Sequence, residues 1–303
     1  MSNIVEDIIN AKKEKNAVIL AHNYQIPAIQ DLADFVGDSL ALAVKATKVE
    51  SDLIIFCGVD FMAESALILN PEKTIIHPNP KAKCPMAAMV DVEGLRMAKK
   101  KNPEATVVSY VNTTAEVKTE TDICCTSANA VKVIKSIEED TILFVPDSNL
   151  GLYAQRFLPD KKFIFWPGYC HVHQDISVAQ IQDLKASYPI AEVLVHPECS
   201  PDVIDIADFV YSTEGMAKHC ASSDSKEFII GTEEGLVHRL KKENPDKTFY
   251  AISDAICPSM KKITLENTLD ALRNLKPRII LPDEVIKKAR APLDKMVAIG
   301  RQD

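Results

Sequence analysis

Asp31-Leu-Ala-Asp-Phe-Val36 returns almost letter for letter as Asp205-Ile-Ala-Asp-Phe-Val210, with a weaker copy between them at Glu120-Thr-Asp-Ile-Cys-Cys125. The inner aspartates Asp34, Asp122 and Asp208 are 88 and 86 residues apart. The same interval recurs outside these stretches. Asn70-Pro-Glu-Lys73, Leu158-Pro-Asp-Lys161 and Asn244-Pro-Asp-Lys247 have prolines 88 and 86 apart. His22-Asn-Tyr24, Tyr110-Val-Asn112 and His196-Pro-Glu198 close three apolar runs at the same interval. Cys84, Cys170 and Cys257, 86 and 87 apart, each follow an apolar run beginning at Thr74, Lys162 or Thr248. Four markers on one period make the chain a threefold internal repeat.

Within each copy, short apolar strands alternate with helices of about 10–15 residues, the pattern of βα units and a parallel sheet. The fold class is α/β, with three homologous α/β/α domains of short parallel sheets. The expected divisions are 1–85, 86–171 and 172–259, with 260–303 returning to the first. Arg278-Ile-Ile-Leu-Pro-Asp283 reads as the opening strand of an unfinished fourth copy. No strand is followed by GxGxxG, so a dinucleotide fold has no support.

A net charge of −8 argues against a general nucleic-acid or membrane surface. No apolar run approaches the length of a membrane span, and the N-terminus is not a secretory signal, so a cytoplasmic protein is expected. Eight cysteines in such a chain point to thiols or metal ligands instead of disulfides. Three of them, one per copy, can bring three soft ligands to one point and leave a coordination position open. Zinc and a 4Fe–4S cluster both satisfy that count. The other five read as packing: Cys57 aligned with Val145 and Ile230, Cys124-Cys125 aligned with Phe35-Val36 and Phe209-Val210, and Cys199 and Cys220 without counterparts.

Ligands of parallel α/β units bind beyond the carboxyl ends of the strands. Residues i and i+2 share a face there, so His22 with Tyr24, Tyr110 with Asn112, and His196 with Glu198 are expected to converge. Asp38-Ser39, Thr126-Ser127 and Ser212-Thr213 each precede a helix. They suit N-caps, and a helix N-terminus also suits an anion. Of His171 and His173, which follow Cys170, one is expected to reach substrate.

Taken in order along the chain, Ala21-His-Asn-Tyr-Gln25, Gly37-Asp-Ser39, Tyr110-Val-Asn112, Thr126-Ser-Ala-Asn129, His196-Pro-Glu198, Ser212-Thr213 and Cys257-Pro-Ser-Met-Lys261 resemble the quinolinate synthase family. The resemblance implies three domains about a pseudo-threefold axis, each giving one of Cys84, Cys170 and Cys257 to a 4Fe–4S cluster with one open iron. It implies a transferase that condenses iminoaspartate with dihydroxyacetone phosphate to quinolinate, phosphate and water in NAD biosynthesis. A functional link to an iminoaspartate-producing enzyme follows. On this resemblance Tyr24 and Glu198 are the leading proton-transfer groups, with His22, His173 and His196 orienting or sharing protons. Ser39, Tyr110, Val111, Asn112, Ser127, Pro197, Ser212 and Thr213, with His22, His196 and Glu198, form the substrate wall. Two rivals use the same residues: a hydro-lyase acting on a hydroxy acid at three cysteines and an open iron, and a non-catalytic cluster sensor.

Overall fold

The computed structural model describes residues 3–302. Three four-stranded sheets form, and every ladder in them is parallel. The first holds β1 (Ala17–His22), β2 (Phe35–Gly37), β3 (Leu53–Cys57) and β4 (Thr74–Ile76) in the order β2-β1-β3-β4. The second holds β5 (Thr106–Tyr110), β6 (Ile123–Cys125), β7 (Thr141–Val145) and β8 (Lys162–Phe165) in the order β6-β5-β7-β8. The third holds β9 (Glu192–Val195), β10 (Phe209–Val210), β11 (Glu227–Gly231) and β12 (Thr248–Ala251) in the order β10-β9-β11-β12. Central strands such as β7, Thr-Ile-Leu-Phe-Val, are buried at every residue, as expected where helices cover both faces. A single apolar core runs through all three units, with smaller clusters beneath individual helices. Among the described residues no helix is long and apolar enough to cross a membrane.

Two of the repeat markers are structural staples. Asp34, Asp122 and Asp208 each accept, through Oδ2 at 2.8 Å, the backbone N–H of Ile19, Val107 and Val193. Their own N–H groups return to the carbonyls of those same residues. Each aspartate thereby fixes where the second strand of its unit joins the first. Lys73, Lys161 and Lys247 reach back to carbonyls at or just beyond the end of an earlier helix, including Ser51 (3.0 Å), Ile137 (2.7 Å) and Ser223 (2.6 Å). For Lys247, whose partners Cys220 and Ser223 lie at the end of the helix Thr213–Ser222, a cation is favourable at that negative end.

The aspartate staple moves two expected equivalences by one residue. Strand pairing sets Cys57 opposite Ala21, Val145 opposite Ser109 and Gly231 opposite Val195, so Gly231 replaces Ile230 in that set. Likewise Ile123 is the counterpart of Phe35 and Phe209, and Cys124 matches Val36 and Val210. Apolar side chains alone do not distinguish these registers; the residue directly after the aspartate does.

Arg278–Asp283 does not open a fourth parallel sheet. It makes one antiparallel bridge, Ile76 to Arg278, on the outer edge of β4, and Ile279 N–H donates to Ile75 O at 2.9 Å. Pro277 and Pro282 remove backbone donors on either side, which stops a strand there. The helix Leu265–Asn274 lies on Ile4–Glu14 of the first unit. The helix Asp283–Ile299 packs on Asp60–Leu69 of the first unit, but also on β6 and Ala115–Lys118 of the second.

Candidate active site

The carboxyl ends of the three sheets face one cavity of about 70 Å³. The first unit sends His22, Tyr24 and Ser39 to its wall; the second sends Tyr110, Asn112 and Ser127; the third sends His196 and Glu198. Cys84, Cys170 and Cys257 line the same cavity, joined by His173 from the one-turn helix His171–Gln174. Five cysteines, Cys57, Cys124, Cys125, Cys199 and Cys220, are buried, while these three are half-buried.

Each cavity cysteine precedes one turn of helix: Met86–Met89, His171–Gln174 or Met260–Lys262. The backbone N–H three residues on, of Ala87, His173 and Met260, reaches the sulfur. Burial still dominates, pushing the Cys84 thiol up to about 12 and raising Cys170 and Cys257 as well. A soft metal binding here must displace thiol protons.

Behind each cysteine stands a carboxylate that the sequence reading missed. Asp60 Oδ1 accepts the Cys84 N–H at 3.3 Å and Glu233 Oε1 accepts the Cys257 N–H at 3.0 Å. Asp147 stands in the same place beside the Cys170 backbone, with Oδ1 accepting the Leu150 N–H at 3.0 Å and Oδ2 buried without a hydrogen-bond partner. Asp60, Asp147 and Glu233 lie 87 and 86 residues apart, so the repeat period was the signal that could have found them. Lys261 Nζ lies 2.7 Å from Glu233 Oε1 and donates to Tyr24 O at 3.0 Å.

A chain of closely spaced polar groups runs beside Cys170. Tyr110 Oη donates to Glu198 Oε1, and Glu198 Oε2 lies 2.9 Å from His173 Nδ1. His173 Nε2 is 2.8 Å from Thr232 Oγ1, which is 2.6 Å from Tyr24 Oη. Thr232, directly after β11, was not among the expected residues; a lone hydroxyl carries no sequence signal of such a role. Burial would raise Glu198, but His173, His196 and the Tyr110 hydroxyl more than offset it and hold the carboxyl down to about 2. Asp147, buried and facing the Glu198 charge, is raised well above the usual carboxylate range. The two carboxyls are thereby driven apart, Glu198 toward its charged form and Asp147 toward its neutral one. Burial first, and the Glu198 charge second, raise Tyr24 and Tyr110, so both are neutral phenols.

Burial also lowers His22 to about 4 and His196 to about 3, leaving both imidazoles neutral at pH 7. Nδ1 of His22 accepts the Tyr24 N–H at 3.1 Å, and Nδ1 of His196 accepts the Glu198 N–H at 3.4 Å. A neutral ring accepting at Nδ1 carries its proton at Nε2. His196 Nε2–H donates to Ser127 Oγ at 3.2 Å, and its ring stacks on His173 with centroids 4.5 Å apart. His22 and Tyr24 meet edge to face at 4.5 Å. Asn112 Oδ1 is buried without a protein partner and is open to a ligand.

The three expected helix starts are not equivalent. Asp38 caps Ser39–Ala46 and Ser212 caps Thr213–Ser222, accepting from Ala41 N and Gly215 N. In the second unit Asn129 Oδ1 accepts the Thr126 N–H at 2.7 Å, closing a turn, and the helix begins only at Ala130. Ser127 therefore caps nothing there and is turned to His196. Ser212 and Thr213 lie behind the wall: Ser212 Oγ accepts from Arg301 at 2.9 Å and Thr213 Oγ1 from Asn23 Nδ2 at 2.8 Å. Val111 and Pro197 are buried between the wall residues of their strand ends.

Cys170, His173 and Glu198 place their ligand atoms within 4.8 Å of one another, a group able to hold a metal ion. Residues 6–298 match the family model described as Quinolinate synthetase A protein. A quinolinate synthase of Methanoregula boonei is 52% identical over 295 residues, 97% of each chain. One of Dehalococcoides mccartyi is 51% identical over 297 residues, and one of a Sulfurihydrogenibium species 49% over 303, each covering 98% of both chains. A match of this extent, over a chain whose strand ends and cysteines meet at one cavity, means that the chain belongs to the quinolinate synthase family.

Proposed function

We propose that this enzyme of NAD biosynthesis condenses iminoaspartate with dihydroxyacetone phosphate, giving quinolinate, phosphate and water in the cytoplasm. The observation that carries the reading is three half-buried thiols, one per unit, facing the same cavity as three polar strand ends. That donor set suits a 4Fe–4S cluster on Cys84, Cys170 and Cys257. A mononuclear zinc would draw its ligands to within about 4 Å of one another; the mutually close group here takes in one cysteine of the three. When bound, such a cluster supplies an iron with an open position, a Lewis acid for substrate oxygen.

The chain's own residues do the rest. His22 and His196 present neutral Nε2–H donors, and Ser39, Ser127 and Asn112 offer further polar contacts, which together orient two anionic substrates. Tyr24 and Tyr110, as phenols tied to one ionised Glu198, hold and pass protons through Thr232 and His173. Enclosure limits hydrolysis of the imine, which also favours direct supply by an iminoaspartate-producing enzyme.

Anaerobically purified protein is expected to carry about four irons and four sulfides and to release phosphate and quinolinate from the two substrates together. Stoichiometric zinc without iron, in protein made with ample iron, would overturn the cluster. It would favour the second arrangement the geometry allows, one ion on Cys170, His173 and Glu198. Dehydration of a simple hydroxy acid without condensation would move the activity to a hydro-lyase.

A further inference from the structure

The residues just after the helix Asp283–Ile299 touch all three units beside the substrate wall. Arg301 is the centre of that contact. Its Nη2 donates to Asp38 Oδ2 at 2.6 Å and its Nη1 to Asp38 Oδ1 at 3.1 Å. Nη2 also donates to Ser212 Oγ at 2.9 Å. Asp38 caps a helix of the first unit and Ser212 caps one of the third. The second unit holds the backbone on either side. Gln302 N–H donates to Ala128 O at 2.9 Å, Asn129 Nδ2 to Gly300 O at 3.1 Å, and Lys132 N–H to Gln302 Oε1 at 2.8 Å. This contact occurs once and has no part in the threefold repeat.

Asp38 lines the cavity. A bare carboxylate there opposes any anionic substrate. The Arg301 fork offsets that charge in a largely enclosed pair, with 20% and 8% of the two side chains exposed. It also ties the start of Ser39–Ala46 to the start of Thr213–Ser222, while the adjoining backbone is tied to the turn that carries Ser127. We propose that Arg301 is a positioning residue for anionic substrate, clasping the three units so that Ser39 and Ser127 keep their spacing across the cavity. The proposal rests on the activity given above for its ligand, and on the contacts alone for its geometry. A lysine would keep the charge but lose the planar fork.

The test uses cluster-loaded holoenzyme, wild type against Arg301→Gln and Arg301→Lys. The Gln variant is expected to keep the cluster absorbance and to raise KM for at least one substrate about tenfold or more, with a smaller change in kcat. Measuring KM for each substrate separately tells whether the phosphate or the dicarboxylate is served. Amide exchange should quicken at Ala41 and Gly215 together, and the Lys variant should recover part of the lost affinity. Unchanged KM values, with or without a lower Tm, would overturn the proposal and leave Arg301 structural. If the wild type makes no quinolinate, the activity reading fails instead. Amide exchange, with and without inorganic phosphate, then decides the clasp: equal exchange in wild type and the Gln variant rejects it.

Discussion

Each unit brings the same parts to the cysteine side of the cavity: a thiol, an N–H three residues later, and an acidic residue beside the cysteine's backbone, which in the first and third units accepts the cysteine's N–H. The wall of strand ends is different in each: histidine with tyrosine, tyrosine with asparagine, histidine with glutamate. Repetition serves a centre that needs three like ligands. It cannot serve two unlike substrates, which have no threefold symmetry. On the wall, the positions kept their place in the fold and changed their chemistry. Glu198 is the sole carboxylate among those six strand-end residues; it accepts from Tyr110 and lies 2.9 Å from His173.

The largest expected effect tests the symmetric side. Changing any one of Cys84, Cys170 or Cys257 to Ala should remove the cluster and the activity together, read as loss of bound iron. Changing Cys124 or Cys125, both fully buried in β6, should leave the iron in place. Unequal iron loss among the three would break the equivalence of the units.

On the asymmetric wall, Glu198→Gln keeps the shape and removes the one charge that Tyr110 and His173 share. Its kcat should fall at least about 10²-fold with the cluster spectrum intact. Near-normal turnover would leave Glu198 as a positioning residue and return the proton to Tyr24.

The two neutral histidines give the wall a pH signature that the symmetric side lacks. Folding depresses His22 to about 4 and His196 to about 3 from an ordinary value of 6.5, so the unfolded chain binds more protons below 6.5. Stability is complete above 6.5 and should decline as pH falls toward 4 and then 3. Glu198 adds to this below the ordinary carboxylate range, because its folded value is also depressed. Thermal melts of wild type and His196→Asn across pH 4–7 check the sign. A variant curve as steep as the wild type's would remove His196 from the account.

The smallest effect separates a wall residue from a cap. Ser127→Ala should raise KM for a substrate a few-fold and barely alter Tm, since no helix begins at Ser127. A cap would instead cost about 0.5–2 kcal/mol in stability. A lower Tm with unchanged KM would return Ser127 to a purely structural place.

The sheets and the cavity cysteines were legible because apolar strand runs and the period of Asp34, Asp122 and Asp208 are local signals. Register was not, because Cys124 is as apolar as the phenylalanine it was matched with. Asp60, Asp147 and Glu233 were missed since they act on backbone N–H groups and change identity between copies, although their spacing was visible. Thr232 and Arg301 could not be read at all. Their partners, Tyr24 with His173 and Asp38 with Ser212, are distant in sequence and meet only in the folded chain.

The helix Leu265–Asn274 covers Ile4–Glu14, sharing one core cluster with Ile8 and Ala11, and Arg278 closes the edge of β4. On a ribosome the covering member of each pair is made long after the one it covers. The first sheet emerges early but keeps an uncovered helix face and an open strand edge until residues beyond 265 arrive. The third sheet and its helices between 178 and 243 have their partners close at hand in the chain. Domains generally fold as units in order of synthesis; here the first of the three units should finish last. A released chain ending at Lys262 should be cut by protease in β1–β4 while β9–β12 resist. Equal resistance would show that the first unit closes without its late cover.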